Sequence, residues 1–188
     1  MCNLTTGFGL DCKTGIGGIY EVFFVPLSDI PSADISYDAT TDVIDGLPSF
    51  TAYRYSLSKN LSTFSDTLAY EEGGSVHFQQ ALNLIIKNMT PAKRKELNEN
   101  VGRNTVVAFV RLNEHPITGS KQLIALGLYN GLDVTSNAAS PGTTLGDMSG
   151  YTFAATGDEP ISAPFLEAWT NNPFDNFAGV TVDPPYAT

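Results

Sequence analysis

Two histidines, two cysteines and two adjacent acidic pairs are the side chains in these 188 residues whose chemistry suits catalysis or metal binding. Nucleophilic catalysis needs a base held within hydrogen-bond reach of a Ser, Thr or Cys. His77 falls on the polar face of an extended segment, and His115 sits in the hairpin tip "NEHPITGS" ahead of a proline. Both positions read as surface residues rather than catalytic bases. Cys2 and Cys12 have no histidine nearby and show no zinc-ligand spacing. They read as reduced thiols, since nothing at the N-terminus looks like an export signal. The glycine clusters "GIGG" and "GFG" do not lie between a strand and a helix, so they supply no phosphate cradle. Glu71–Glu72 and Asp158–Glu159 are neighbours in turns. Adjacent residues on a strand point to opposite faces, so neither pair makes an acid–base dyad, and nothing selects two carboxylates facing one glycoside. This inventory points away from an enzyme and calls for no cofactor and no metal.

The elements that would have to position such groups are almost all strands. Seventeen Gly, 11 Pro, 8 Tyr and 11 Phe, with only 16% charged residues, favour β-structure. One domain is expected at this length, able to bury about 70% of its extended surface without a disulfide or metal. A net charge of −10 argues against a surface built to grip nucleic-acid phosphates, yet suits one that DNA slides past. No apolar run approaches the ~20 residues of a membrane helix.

Residues 1–18 read as an N-terminal arm. The run "GGIYEVFFV" (Gly17–Val25) is the first strand, stopped by Pro26. Residues 26–50 read as a long loop with one short strand near Val43–Ile44, and a loop of that length is usually functional or an interaction arm. Strands follow at Ala52–Ser58, where Tyr53, Tyr55 and Leu57 share a face, and at Thr63–Tyr70. "EEGG" then turns the chain into its longest strand, Ser75–Lys87. Val76, Phe78, Leu82, Leu84 and Ile86 lie on one face of that strand. His77, Gln79, Asn83 and Lys87 lie on the other.

The one helix is Thr90–Asn100, capped by Thr90 with Pro91 in its first turn. Its Lys93, Arg94 and Lys95 form a solvated face or a dock for an acidic neighbouring subunit. Strands at Asn104–Leu112 and Gln122–Tyr129 contain "VVAFV" and "LIALGL", apolar on both faces, so both faces need cover. With a single short helix available, a second subunit is the expected source of one cover. Residues 130–149 read as a loop and Tyr151–Thr156 as the closing strand. Residues 167–188 read as a C-terminal arm that orders against a partner or stays mobile.

From Gly146 the chain carries the pattern Gly-Asp-x-x-Gly-Tyr-x-Phe-x-x-x-Gly-x-Glu-Pro, then Ala-Pro-Phe-Leu. The residues are Gly146, Asp147, Gly150, Tyr151, Phe153, Gly157, Glu159, Pro160, Ala163, Pro164, Phe165 and Leu166. Together with Cys2, Cys12, "GGIYEVFFV" and the order of strands around one helix, this resembles tailed-bacteriophage tail-tube-like and virion ring proteins, crAss-like phages of Bacteroides-type hosts among them. The resemblance spans most of residues 1–166 and is sharp at its two ends. It departs at Ala154 and Ala155, where bulkier alternation is usual, and in the length of chain beyond Leu166.

The resemblance implies a mainly β fold, an antiparallel barrel or sandwich with one short α-helix and extended loops and termini, in which residues 1–166 form a single domain. It implies no active site. It implies a six- or twelve-fold homo-oligomeric ring in a tail tube, tail barrel or neck, touching neighbouring tail or neck proteins and passing DNA without specific binding. It further implies a place in the virion after synthesis in the bacterial cytoplasm, with no membrane partner. The subunit contact is expected at Tyr151, Phe153, Pro164, Phe165, Leu166 and Trp169. A sheet is expected to face the lumen, with some of Asp38, Asp42, Asp45, Glu71 and Glu72 supplying a negative wall or the contact between rings. The alternative is a monomeric β-sandwich that binds carbohydrate or decorates a capsid. That module should present a flat aromatic face rich in Trp, whereas the sole Trp, Trp169, lies in the C-terminal arm.

Overall fold

The computed structural model describes residues 17–58, 61–71, 73–113, 121–144 and 146–186. Cys2, Cys12, Glu72, His115 and residues 1–16 of the expected N-terminal arm lie outside the described residues. In chain order the strands are β1 (Ile19–Pro26), β2 (Ser36–Tyr37), β3 (Ile44–Gly46), β4 (Thr51–Ser56), β5 (Thr63–Tyr70), β6 (Val76–Lys87), β7 (Val106–Leu112), β8 (Leu123–Leu126), β9 (Asp133–Ser140), β10 (Gly150–Glu159) and β11 (Thr181–Asp183). They form a five-stranded sheet of order β11-β4-β1-β7-β8, a four-stranded sheet of order β5-β6-β10-β9 and the small pair β2-β3. Every pairing between these strands is antiparallel except that of β11 with β4. Among the described residues neither large sheet closes into a barrel.

Period-two alternation divides the interior into two cores. Val22 and Phe24 of β1, Ala108 and Val110 of β7, Leu82, Leu84 and Ile86 of β6, and Tyr151, Phe153 and Ala155 of β10 meet in the first core, between the two large sheets. Phe23 and Val25 of β1 and Val107 and Phe109 of β7 point the other way, into a second core. The sheet is therefore apolar on both faces, as "VVAFV" and "LIALGL" require. The cover for the second face comes from the chain itself. Ile30, Ile44 and Phe50 of the long loop, with Leu166, Trp169, Phe174 and Phe177 of the C-terminal segment, fill that core. Each Phe buried there contributes roughly 1.5–3 kcal/mol. The sequence-based expectation of a second subunit at this face is thus replaced by an intrachain layer. The reading of residues 167–188 as waiting for a partner gives way to a segment packed against its own sheet.

Three local differences have plain causes. Residues 133–140 form an edge strand, although "DVTSNAAS" lacks apolar alternation. The strand is mostly exposed, and only Val134 packs against the first core. Strand β10 continues beyond Thr156 to Glu159. Gly157, read as a boundary, lies inside that strand, where a Cβ would collide with the Gly131 carbonyl oxygen. The helix is α1 (Pro91–Lys95), capped by Thr90 Oγ1 accepting from Lys93 N at 3.3 Å. It continues as a π-helical turn, Glu96–Val101, that sets Leu97 and Val101 into the first core.

The C-terminal layer is tied by a turn around Asp175. Its carboxylate accepts from the backbone N–H groups of Thr170 at 2.9 Å, Asn171 at 2.6 Å and Asn172 at 3.2 Å. Desolvation pushes the carboxyl upward, but these three bonds and the charge of Lys121 outweigh it and hold it below the usual aspartate range. A lowered folded pKa means the contribution is present above the ordinary aspartate value and is lost as pH falls through the folded one. Acidification below about pH 4 is therefore expected to loosen this layer, shifting the emission of buried Trp169 to the red before β-structure is lost. Asp175→Ala should show part of that shift already at neutral pH. Trp169 emission that moves only with the far-ultraviolet circular dichroism would disprove the local release.

Candidate assembly surfaces

The groups with catalytic chemistry are dispersed. His77 lies on the outer face of the four-stranded sheet, with Nε2 3.8 Å from Asp158 Oδ1. Asp158 and Glu159 diverge to opposite faces of β10, the first exposed and the second 2% exposed. Glu71 occupies the β5–β6 turn, where its N–H and carbonyl close the reversal with Ser75 and Gly74. Among the described residues no three His, Cys, Asp or Glu side chains are placed to share a metal ion, and no helix is long and apolar enough to cross a membrane.

The buried polar side chains serve as fasteners. Glu159 accepts from the N–H groups of Tyr129 at 3.1 Å, Asn130 at 2.9 Å and Gly131 at 3.0 Å. Gln80 Oε1 accepts from Gly127 N at 2.8 Å, in the same loop. Asp66 Oδ2 accepts from Ser162 Oγ at 2.5 Å and Ala163 N at 2.9 Å. These three residues form a polar band across the inner face of the four-stranded sheet. On the five-stranded sheet, Glu21 Oε1 accepts from Arg111 Nη1 at 2.8 Å and from the Tyr186 hydroxyl at 2.5 Å. The Arg111 guanidinium lies 4.9 Å from the ring centres of both Tyr20 and Trp169, and Arg54 lies 4.2 Å from that of Tyr186. Burial and the Glu21 bond push the Tyr186 hydroxyl pKa up, so it stays a donor. Glu21, Arg111 and Tyr186 are joined by these bonds, and together with Arg54 on the Tyr186 ring they clamp the C-terminal layer.

The sheet margins differ sharply. The β8 edge is sealed by residues 164–169: Ala125 N donates to Pro164 O at 2.9 Å, Leu166 N to Leu123 O at 2.8 Å and Trp169 N to Lys121 O at 3.0 Å. That segment is bonded in turn to β3, through Ile44 N to Phe165 O and Glu167 N to Ile44 O, both at 2.9 Å. Strand β11 covers the edge of β4 at Thr51–Tyr53. The four-stranded sheet has no such closure among the described residues. Strands β5 and β9 are its outermost members, eight residues each, and each pairs on one side only. The outer face of β6 and β10 carries Gln79, Asn83, Thr152 and Thr156, with Lys87, His77 and Asp158 as its only ionisable positions.

Of the six residues expected at the subunit contact, Tyr151, Phe153, Leu166 and Trp169 are buried within their own chain, in the two cores. Pro164 is half-buried, and Phe165 alone is exposed, at 44%. Those expectations came with the resemblance around Gly150–Leu166, and four of the six side chains are taken up by intrachain packing. Asp38, Asp42 and Asp45 lie on the covering loop beyond the five-stranded sheet, remote from the outer face of the four-stranded one. Asp38 there caps its own turn by accepting from the N–H groups of Thr40 at 3.0 Å and Thr41 at 2.8 Å. Open sheet edges that an identical copy could satisfy are an expectation of the sequence, but which strands supply them is not, since an unpaired edge leaves no trace in side-chain pattern.

A groove of about 650 Å³ opens beside α1, walled by Phe24, Tyr53, Tyr55, Ala92 and Val101, with Lys93, Arg54, Glu96 and Asp183 as its charged lining. Tyr53 is 41% exposed there, while the hydroxyl of Tyr55 turns to Glu96 Oε1 at 3.4 Å. Comparison with protein-family models, with curated proteins and with solved structures finds no match for this chain.

Proposed function

We propose that this chain is a structural protein of a tailed-phage virion that assembles side by side into rings, as part of a tail tube, tail barrel or neck, with the four-stranded sheet lining the conduit. The observation that carries the reading is the pair of open margins on that sheet. Unpaired edges present rows of N–H and C=O groups that an identical copy can satisfy. In the order β5-β6-β10-β9 successive strands alternate in direction, so β5 and β9 run opposite ways. A rotated copy therefore places its β5 beside β9 as another antiparallel pair, and the alternation continues around a closed ring. On the five-stranded sheet the β8 edge is bonded to residues 164–169, and the outermost strand at the other margin, β11, is only three residues long, so it offers a far shorter edge than β5 or β9. The outer face of the four-stranded sheet suits a lumen wall: it is polar and nearly uncharged, so it offers phosphates few cations to hold. The resemblance of the Gly146–Leu166 stretch to tail-tube-like proteins supports the virion assignment.

Negative-stain images of concentrated protein should show rings. Hydrogen exchange should show residues 63–70 and 133–140 slowing on concentration, because their outward N–H groups become bonded across the subunit boundary. Rings in which both segments exchange at the rate of the dilute protein would overturn the edge pairing. A monomer at every concentration, with both edges exchanging freely, would favour the binding or decoration module instead.

A further inference from the structure

We propose that the tip of the β5–β6 hairpin docks on the α1 end of a second copy of this chain, so that copies stack along the direction of β6. This rests on the ring reading for its partner but uses a different surface. The inner face of the four-stranded sheet extends beyond the polar band of Asp66, Gln80 and Glu159. Level with Glu159, Leu68 faces Phe78 across the strands, and one step further toward the turn Tyr70 faces Val76. Leu68 is 42%, Val76 48% and Tyr70 73% exposed, on the same face that buries Leu82 and Leu84 further along. A face that is core at one end and bare at the other is a docking surface by its continuity with packed structure.

The occupant follows from charge and shape. The turn at the tip reads "EEGG", and its described carboxylate is Glu71. Strand β6 spans 12 residues, which places α1 about 35–40 Å from the tip, at the opposite end of the molecule. Five of the ten Lys and Arg residues, Lys87, Lys93, Arg94, Lys95 and Arg103, fall in the 87–103 segment, against two acids. Beside them lies the groove of about 650 Å³, with room for side chains such as Tyr70 and Leu68, aromatic walls, and a lining in which Arg54 and Lys93 are joined by Glu96 and Asp183. One end of the molecule is apolar and acidic, and the other sets an apolar groove next to the cation-rich 87–103 segment. Joining unlike ends makes a head-to-tail contact that repeats without closing, across the axis of the lateral contact through β5 and β9.

The test uses equal amounts of unlabelled and nitrogen-15-labelled chain, mixed at assembling concentration and joined by a zero-length carbodiimide reagent. The expected product is a mixed-isotope link between the Glu71 peptide and one bearing Lys87, Lys93 or Lys95. The span of β6 rules out that link within one chain. It should be lost in Tyr70→Asp and weakened by salt. The charge exchange Glu71→Lys with Lys93→Glu and Lys95→Glu should restore stacking that either half alone removes. Single, unstacked rings from Tyr70→Asp support the axial contact while leaving the lateral one intact. The Glu71 link without any rings supports it and sinks the ring reading. Protected β5 and β9 edges with no Glu71 link, or stacks unchanged in Tyr70→Asp, overturn it.

Discussion

Replacing Phe174 by alanine is expected to destabilise the fold by about 3–5 kcal/mol, the range for deleting a fully buried aromatic ring. Phe174 is 3% exposed and joins the C-terminal layer to the outer face of the five-stranded sheet. Its ring meets Phe23 at 5.1 Å and Phe109 at 5.2 Å, both edge to face, and Phe50 at 6.1 Å. Phe50 in turn stacks on Phe109 at 5.8 Å. Removing the ring takes an edge-to-face contact from Phe23 and Phe109 and leaves a cavity beside the Phe50–Phe109 stack. The backbone at Phe174 sits at φ +70°, a conformation that costs an L residue about 1–2 kcal/mol. Alanine keeps that strain and loses the packing, whereas Phe174→Gly relieves the strain and so should be slightly less damaging. Urea unfolding followed by Trp169 emission and by circular dichroism measures both. A loss below about 1 kcal/mol in Phe174→Ala would mean that the C-terminal layer lies outside the cooperative unit.

That layer also marks where the sequence was legible. Strands β1, β4, β5, β6, β7 and β8 and the helix start follow from alternation, turn glycines and the Thr90–Pro91 cap, because there side-chain pattern and backbone structure report the same thing. Two-faced burial of "VVAFV" and "LIALGL" was also readable. The identity of the cover was not. Trp169, Phe174 and Phe177 are separated by polar turn residues and show no helical or strand period. What organises them is the Asp175 turn, whose three N–H bonds depend on geometry rather than pattern. Strand β9 was missed for a related reason: an edge strand with one packed residue has almost no hydrophobic signal. Gly157 reads in the sequence as the end of the last strand, whereas it lies inside β10 and lets the Gly131 carbonyl approach.

The intrachain cover also narrows where copies can meet. The outer face of the five-stranded sheet is filled and the β8 edge is bonded to residues 164–169, so the buried aromatics there are accounted for within the chain. Among the described residues, the long unpaired edges β5 and β9 and the bare end of one hairpin carry the proposed contacts. Both surfaces belong to the four-stranded sheet, so lateral and axial contacts would be set by a single rigid element.

Glu159→Ala is expected to be the most damaging change of a charged residue. The carboxylate collects three successive N–H groups, from Tyr129, Asn130 and Gly131, in a loop held open by positive φ at Gly127 and Gly131. Alanine leaves these donors without an acceptor in a closed site, at about 1–3 kcal/mol for each one that water cannot reach. The loop also sets Leu128 and Leu132 into the cores and brings the Tyr129 hydroxyl 2.8 Å from that of Tyr37, so its release spreads to both sides of the five-stranded sheet. Glu159→Gln retains one carbonyl acceptor and should fall between wild type and alanine. Its pH dependence is diagnostic. Burial pushes the Glu159 carboxyl above the usual glutamate range, and the three N–H bonds only partly oppose it. A raised folded pKa means that the wild type is favoured most below the ordinary glutamate value and loses that advantage as pH rises through the folded one. Glutamine does not titrate, so the stability deficit of Glu159→Gln should shrink between acid and neutral pH in urea denaturation. A deficit that grows with pH would show instead that the loop stabilises the charged carboxylate by more than burial penalises it.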